Sequence, residues 1–264
     1  MAPLTAKQLL GHGLFAARLN ALLLGRTAVV VMFHRVRATD GSDGLTVDVS
    51  TFERYCRFFK QHFRVVGLTE IVSGLERGVV PGRTLAITFD DGYLDNFENA
   101  VPILEHLSLP ATFFVVTQWI GSEVVPWWDR DRGERYPWMN WDEVRSLHQR
   151  GFEIGAHTRT HVDLGRVTGP RAEEEIGGAR EELRCRLGTC SDAFAYPYGG
   201  PQHLTDEARA LVRTAGFRCC CSGFGGINEA GTDPFHLRRV PVSQGYSPDQ
   251  FGFDVAFRRT VVGT

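Results

Sequence analysis

The chain has 264 residues and a mass of 29.5 kDa, long enough to bury a full core and too long for a disulfide-stapled miniprotein. Hydrophobic residues make up 43% and charged residues 23%, which excludes a disordered chain. Lys plus Arg is 29 against 31 for Asp plus Glu, a formal charge of −2, so no basic excess points to a nucleic-acid partner. No run of 18 apolar residues occurs, and a conventional membrane-spanning helix is not expected.

In chain order, Leu9 to Leu24 is rich in Leu and Ala, with Leu10, Leu14, Ala17, Ala21 and Leu24 at helical spacing. This predicts an amphipathic helix within residues 1–27, packed on a domain spanning 28–264; a peripheral membrane contact is the alternative. Only Lys7 precedes it and no small-residue cleavage site follows. Ala28 to Phe33 reads as a short buried strand ending at His34. Ser50-Thr51-Phe52-Glu53 reads as a capping box opening a helix to about His62, and a second helix is expected from Glu70 to Arg77, stopped by Gly78 and Pro81.

Strand and helix then alternate. Strands are expected at Leu85–Phe89, Thr112–Val116, Phe152–Ala156, Ala193–Tyr196, Phe217–Cys221 and Arg239–Val242. Helices are expected at Val101–Leu107, Trp141–Gln149 with Asn140 as N-cap, Arg171–Leu187 closed by Gly188, Asp206–Ala215 capped by Thr205, and from Ser247 onward. About seven apolar strands separated mostly by helices is the pattern of a parallel α/β protein. Periodicity alone leaves barrel and open sheet undecided. An insertion between Gln118 and Asn140 carries Trp119, Trp127, Trp128 and Trp138 and is the expected lid. Six cysteines (Cys56, Cys185, Cys190, Cys219, Cys220, Cys221) form no disulfide-like framework and no Cys-x-x-Cys pair. The run Cys219 to Cys221 reads as small core hydrophobes in a buried strand, with metal ligands as the alternative, and reduced cysteines fit a cytoplasmic protein.

Functional residues of parallel α/β folds lie just past the C-terminal ends of strands. Three polar groups sit there. Thr88-Phe89-Asp90-Asp91-Gly92 places two carboxylates side by side, whose repulsion a cation would offset; a solvated turn is the alternative reading. His157-Thr158-Arg159-Thr160-His161 spaces two histidines so that one helical face can chelate one ion. Tyr196-Pro197-Tyr198-Gly199-Gly200 joins a rigid turn to glycines that let a ligand approach the backbone.

Together these segments resemble the polysaccharide deacetylases, the nodulation protein B-like and chitin deacetylase domains of carbohydrate esterase family four. The first motif matches in full, the second at His157 to His161, the third only at Pro197-Tyr198-Gly199, and the resemblance runs from about Val29 to Val242. It implies a single-domain α/β protein, a distorted (β/α)7 TIM-like barrel with an N-terminal helix, and metal-dependent removal of an N-acetyl group from an amino sugar of a glycan, oligosaccharide or glycolipid. By position, Asp91, His157 and His161 would hold the metal, Asp90 would be the general base, and the Tyr198 N–H would bind the oxyanion. Tyr196, Pro197 and Tyr198 are the expected substrate contacts. Three departures stand out. Ala195 occupies the place of an arginine that orients the base, no Asp-x-x-Asp-Trp motif follows Phe217, and Leu237-Arg238-Arg239 lacks the histidine of the Leu-x-His motif. The general acid is therefore sought at His34, since a comparable first-strand histidine occurs in a branch related to biofilm polysaccharide de-N-acetylases; a histidine merely hydrogen-bonded in the barrel mouth is the alternative.

A His₂Asp set with open positions suits Zn²⁺, and Co²⁺, Ni²⁺ or Fe²⁺ also fit it. The partners expected are an N-acylated amino sugar, no nucleic acid, and at most a peripheral membrane contact, with a cytoplasmic location at or near a membrane surface. A deformylase or other amide hydrolase on the same metal site and a catalytically silent glycan-binding module are the competing readings.

Overall fold

A computed structural model describes residues 5–17, 19–39, 43–80, 82–189 and 192–257; Arg18, Pro81 and Cys190 lie outside the described residues. Seven strands close into a parallel barrel: β1 (Thr27–Phe33), β2 (Thr84–Phe89), β3 (Thr112–Val115), β4 (Glu153–Ala156), β5 (Ala193–Ala195), β6 (Cys219–Gly225) and β7 (Leu237–Pro241). Each pairs in parallel with the next, and β1 pairs with both β2 and β7, which closes the ring. Ile227–Glu229 adds to β1 antiparallel, and Arg64–Val65 adds to β2. The fold is thus the expected (β/α)7 barrel.

Alternate residues of each strand face opposite sides, and the sequence divides accordingly. Ala28, Val30, Ala86, Phe114, Ala193, Ala195, Cys219, Cys221 and Leu237 form an inner cluster with Leu68, Ile71, Val72 and Leu75 of the helix Leu68–Glu76. The inward residues are mostly small because seven strands leave little room. A Cβ on Gly155 would stand 2.3 Å from the Phe114 ring. Val29, Val31, Phe33, Leu85, Ile87 and Phe89 face outward into the larger core beneath the helices. Cys219, Cys220 and Cys221 are buried and free, as small hydrophobes would be.

Several element boundaries move for local reasons. The helix Val49–His62 is capped by Asp48, whose Oδ1 accepts the Ser50 N–H at 2.9 Å, so Ser50 lies inside the helix rather than at its cap. A π-helical turn, Asn96–Ala100, precedes the expected helix, now Val101–His106. At the N-terminus the helix Ala6–Ala16 stops with Ala17 as C-cap, and Asn20–Leu23 is a separate turn. Its buried face is Gly11, Leu14 and Phe15, while Leu10 is 59% exposed. The reason is Gly11, which packs so closely on the helix Pro248–Phe257 that a Cβ would lie 2.0 Å from the Asp249 carbonyl oxygen.

Asp95 lies under the exit of β1, its Oδ1 accepting the Val36 N–H at 3.2 Å. Burial pushes its carboxyl up to about 7. A carboxyl raised in the folded state holds a proton the unfolded chain has already released, so its contribution to stability falls as pH rises from about 4 to about 7 and is flat beyond. Asp95→Asn keeps the acceptor and removes the titration. Denaturant unfolding at pH 5 and pH 8 should show a smaller loss of stability for the variant, by up to about 2.5 kcal/mol. An identical loss in both proteins would contradict this account.

Candidate active site

Asp90 and Asp91 follow β2 in a tight turn, and both are 2% exposed. The Asp90 N–H donates to the Phe33 carbonyl at 2.9 Å and the Gly92 N–H to the Asp90 carbonyl at 3.0 Å, with Asp91 at φ 75°. The two side chains meet different partners. Asp90 forms a two-pronged pair with Arg239, Nη1 to Oδ1 and Nη2 to Oδ2, each at 2.7 Å. Burial alone would raise the Asp90 carboxyl, but the guanidinium outweighs it and the net shift is downward.

Asp91 faces the two histidines instead. Its Oδ1 lies 3.4 Å from His157 Nε2 and 3.3 Å from His161 Nε2, and it is a buried oxygen with no hydrogen-bond partner. Burial opposes ionisation of Asp91, yet the facing imidazoles hold it well below the usual carboxylate range. His157 Nδ1 meets the Ala195 carbonyl at 2.8 Å. That bond places the ring proton on Nδ1 and leaves the Nε2 lone pair aimed at Asp91. Burial depresses the His161 pKa and keeps it neutral, as a ligand must be. These observations fit a divalent ion. The three donor atoms are mutually close, and ligands about 2.0–2.1 Å from a tetrahedral centre stand roughly 3.3 Å apart.

The histidine pair does not lie on a helix, contrary to the simplest reading of its spacing. Residues 157–161 form a loop in which Thr158 and His161 have φ of 63° and 59°. Thr158 Oγ1 accepts the His161 N–H at 2.9 Å. Glu175, buried on the helix Gly169–Leu187, accepts the N–H groups of Arg159 and Thr160 at 3.0 and 2.9 Å. Trp119 stacks on His161 with centroids 5.0 Å apart, and Trp128 meets it edge-on at 5.1 Å.

One cleft of about 320 Å³ is lined by His34, Asp90, Asp91, His157, His161, Tyr196, Tyr198, Trp128 and Arg239, among others. His34 is half-buried at the end of β1. Its carbonyl accepts from Asn96 Nδ2 at 2.8 Å, so the π-helical turn fixes its backbone. Burial lowers its pKa, against the opposing pull of Asp91 and Asp90. Tyr198 is 44% exposed, with φ 62°, and among the described residues nothing accepts its N–H. Pro197 is buried and its carbonyl accepts the Gly199 N–H at 2.7 Å. Tyr196 is 1% exposed, and its hydroxyl lies 3.6 Å from Cys220 Sγ. Within the insertion, Trp119 and Trp138 are buried with Tyr93, Trp127 is exposed, and Trp128 forms part of the cleft wall.

Two arginines escaped the sequence reading. Arg239 stands where the Leu-x-His motif would put histidine, and it orients Asp90 in place of the arginine missing at Ala195. The β6–β7 register shifts between Leu237 and Arg239, and Arg239 Nε donates to the Ser222 carbonyl of that irregular stretch. The missing arginine was itself the signal: a buried carboxylate without one demands another cation. Arg35 is fully buried and joins Asp129 and Asp43, each at 2.6 Å, while Nε donates to Thr46 at 3.0 Å.

Residues 77–220 match the polysaccharide deacetylase family profile. The chain belongs to the polysaccharide deacetylase family. The matched segment contains Asp90, Asp91, His157, His161 and Tyr198 but neither His34 nor Arg239. A Staphylococcus aureus protein named poly-β-1,6-N-acetyl-D-glucosamine N-deacetylase is 23% identical over 215 residues, 73% of this chain and 70% of its own length. Among solved structures, IcaB from Ammonifex degensii is 24% identical with a TM-score of 0.73, over 88% of this chain and 98% of its own. The deacetylase PplD of Streptococcus pyogenes, in complex with acetate, is 19% identical with a TM-score of 0.72, over 85% and 96%. For this member of the family, the donor set gives a direct test. His157→Ala and His161→Ala should each lose most bound divalent metal by elemental analysis while keeping the far-UV spectrum of the fold. A full equivalent retained at wild-type affinity would refute the ligand set.

Proposed function

We propose that the chain is a metal-dependent hydrolase that removes an N-acetyl group from an amino sugar of a glycan. The observation that carries this reading is the division of two adjacent buried carboxylates, one paired to Arg239 and one turned to an open histidine pair, on the wall of one cleft. A binding module needs neither arrangement. The name of the Staphylococcus aureus relative supports a β-linked N-acetylglucosamine polymer as the substrate class, and the acetate in PplD supports the acyl group.

A divalent ion held by Asp91, His157 and His161, with Zn²⁺ well suited, would polarise the acyl oxygen and acidify a water. Asp90 takes the proton of the attacking water. Arg239 keeps it ionised and fixes its plane, and the carboxylate has lone pairs beyond those given to the guanidinium. The Tyr198 N–H donates to the oxygen that gains charge, as a preorganised donor costing no reorganisation during the reaction. His34 delivers a proton to the departing amine. Burial keeps it neutral at rest, so the proton it passes to the amine is the one Asp90 takes from the attacking water, and the two aspartates favour its protonated form in between. The wall of Trp128, Gly44 and Leu45 holds the sugar, with the indole offering an apolar face to a pyranose ring.

Metal-reconstituted protein should release acetate, with a free amine appearing, from β-linked N-acetylglucosamine oligomers, and less or none from N-formyl analogues. Asp90→Asn should keep its metal and lose at least about 10²-fold in turnover; Asp91→Asn should lose metal and turnover together. Equal metal loss in both would remove the division of labour. Metal-loaded wild type that binds sugar and releases no acid would remove the enzyme reading. His34→Ala should lower kcat by about 10²–10⁴-fold, the scale of general acid catalysis, with a smaller change in KM. An unchanged kcat would move the proton delivery to another group.

A further inference from the structure

The helix Ala6–Ala16 carries apolar side chains on its uncovered side as well as on its covered one. Gly11, Leu14 and Phe15 pack inward against the helix Pro248–Phe257. The rest of its surface carries Lys7, Gln8 and His12 among Ala6, Leu9, Leu10, Gly13 and Ala16, with Leu9 56% and Leu10 59% exposed. Large apolar side chains left uncovered side by side mark an interaction surface, so this helix has a covered face and an uncovered one. The adjoining turn continues the pattern, with Leu19 49% and Leu22 83% exposed, and Phe257 at the end of the packed helix is 54% exposed. These five are more than half of the nine large apolar side chains exposed among the described residues.

Charge selects the occupant. Residues 1–27 contain Lys7, Arg18 and Arg26 and no Asp or Glu, in a chain whose net charge is −2. Of the two carboxylates on the packed helix, Asp249 lies against His12 at 3.4 Å, and Asp254 is buried and accepts from the Tyr246 hydroxyl at 2.9 Å. A second copy docking face to face by a two-fold axis would bring this acid-free cationic segment against itself. An anionic lipid surface offers both an apolar layer for the leucines and counter-charge for the lysine and arginines. We propose that the outward face of Ala6–Ala16, with Leu19 and Leu22, docks on an anionic bilayer. The barrel is thereby held at a membrane surface without a spanning helix; no described helix is long and apolar enough to cross one.

The test is co-sedimentation of the full chain with vesicles of phosphatidylcholine alone or with 30% phosphatidylglycerol, at low and high salt. Binding should require phosphatidylglycerol, weaken with salt as screening predicts, and fall at least tenfold in a Leu9→Gln, Leu10→Gln, Leu22→Gln variant that keeps wild-type thermal stability. Absence of binding to either vesicle overturns the proposal, as does equal binding by the variant. Light scattering showing a wild-type dimer that the same variant converts to a monomer would also overturn it, giving the face to a second copy. None of these readouts involves turnover, so failure here leaves the proposed chemistry intact.

Discussion

Two neighbouring carboxylates buried at the end of one strand form the constraint around which the site is arranged. Like charges a few ångströms apart, even at an effective dielectric near 20, repel by several kcal/mol, and burial adds to the cost of each. The turn after β2 resolves this by sending the side chains apart. Asp90 reaches a fully buried guanidinium on β7, two strands round the ring, and Asp91 reaches the loop after β4. Neither partner is close in sequence, so the pair is tolerated only once the barrel has closed. Removing one member of a buried ion pair typically costs about 3–5 kcal/mol because the other charge is stranded. Arg239 thus ties the ionisation of Asp90 to ring closure between β1 and β7.

Backbone strain gathers at the same place. Of six non-glycine residues with positive φ among those described, Asp91, Thr158, His161 and Tyr198 belong to the cleft segments. Such conformations cost free energy and persist where surroundings over-determine them. The surroundings here are specific: Glu175 and Thr158 hold the histidine loop, and Gly199 meets Gly223 so closely that a Cβ would stand 2.2 Å from its nitrogen. The strain buys orientation, turning one carboxylate, one imidazole and one backbone N–H toward a common space.

The alternation of apolar runs and capped helices made the barrel legible, because β-branched strand segments and signals such as Asn140 and Thr205 act locally. Both of those caps stand where the sequence placed them. Asp90, Asp91, His157 and His161 were legible because their grouping at strand ends is itself a pattern. Arg239 was not, since its meaning depends on a register shift between two strands that no local window reveals. Leu10 misled for a similar reason: helical spacing marked it as core, whereas a close glycine contact at Gly11 set the rotation of the helix. The loop geometry of 157–161 was likewise hidden, because its stabilising carboxylate, Glu175, comes from a helix outside the motif.

The end of β1 shows how one short stretch serves two ends. His34 lines the cleft, and the next side chain, Arg35, points the other way into the insertion, as successive residues of an extended segment do. Arg35 binds Asp129 of the tryptophan-bearing segment and Asp43 beside Gly44 and Leu45, while its guanidinium lies 4.0 Å from the Tyr136 ring centroid. Tyr93 donates to Asp129 at 3.2 Å and accepts from the Trp128 indole at 3.1 Å. A single buried cation therefore joins both walls of the cleft and, through Tyr93, sets the indole that packs on His161. Because Asn96 grips the His34 carbonyl and Asp95 the Val36 N–H, the backbone carrying His34 and Arg35 is clamped on either side. The position of the proposed proton donor and the width of the cleft are then fixed by the same few bonds, so neither can change without the other.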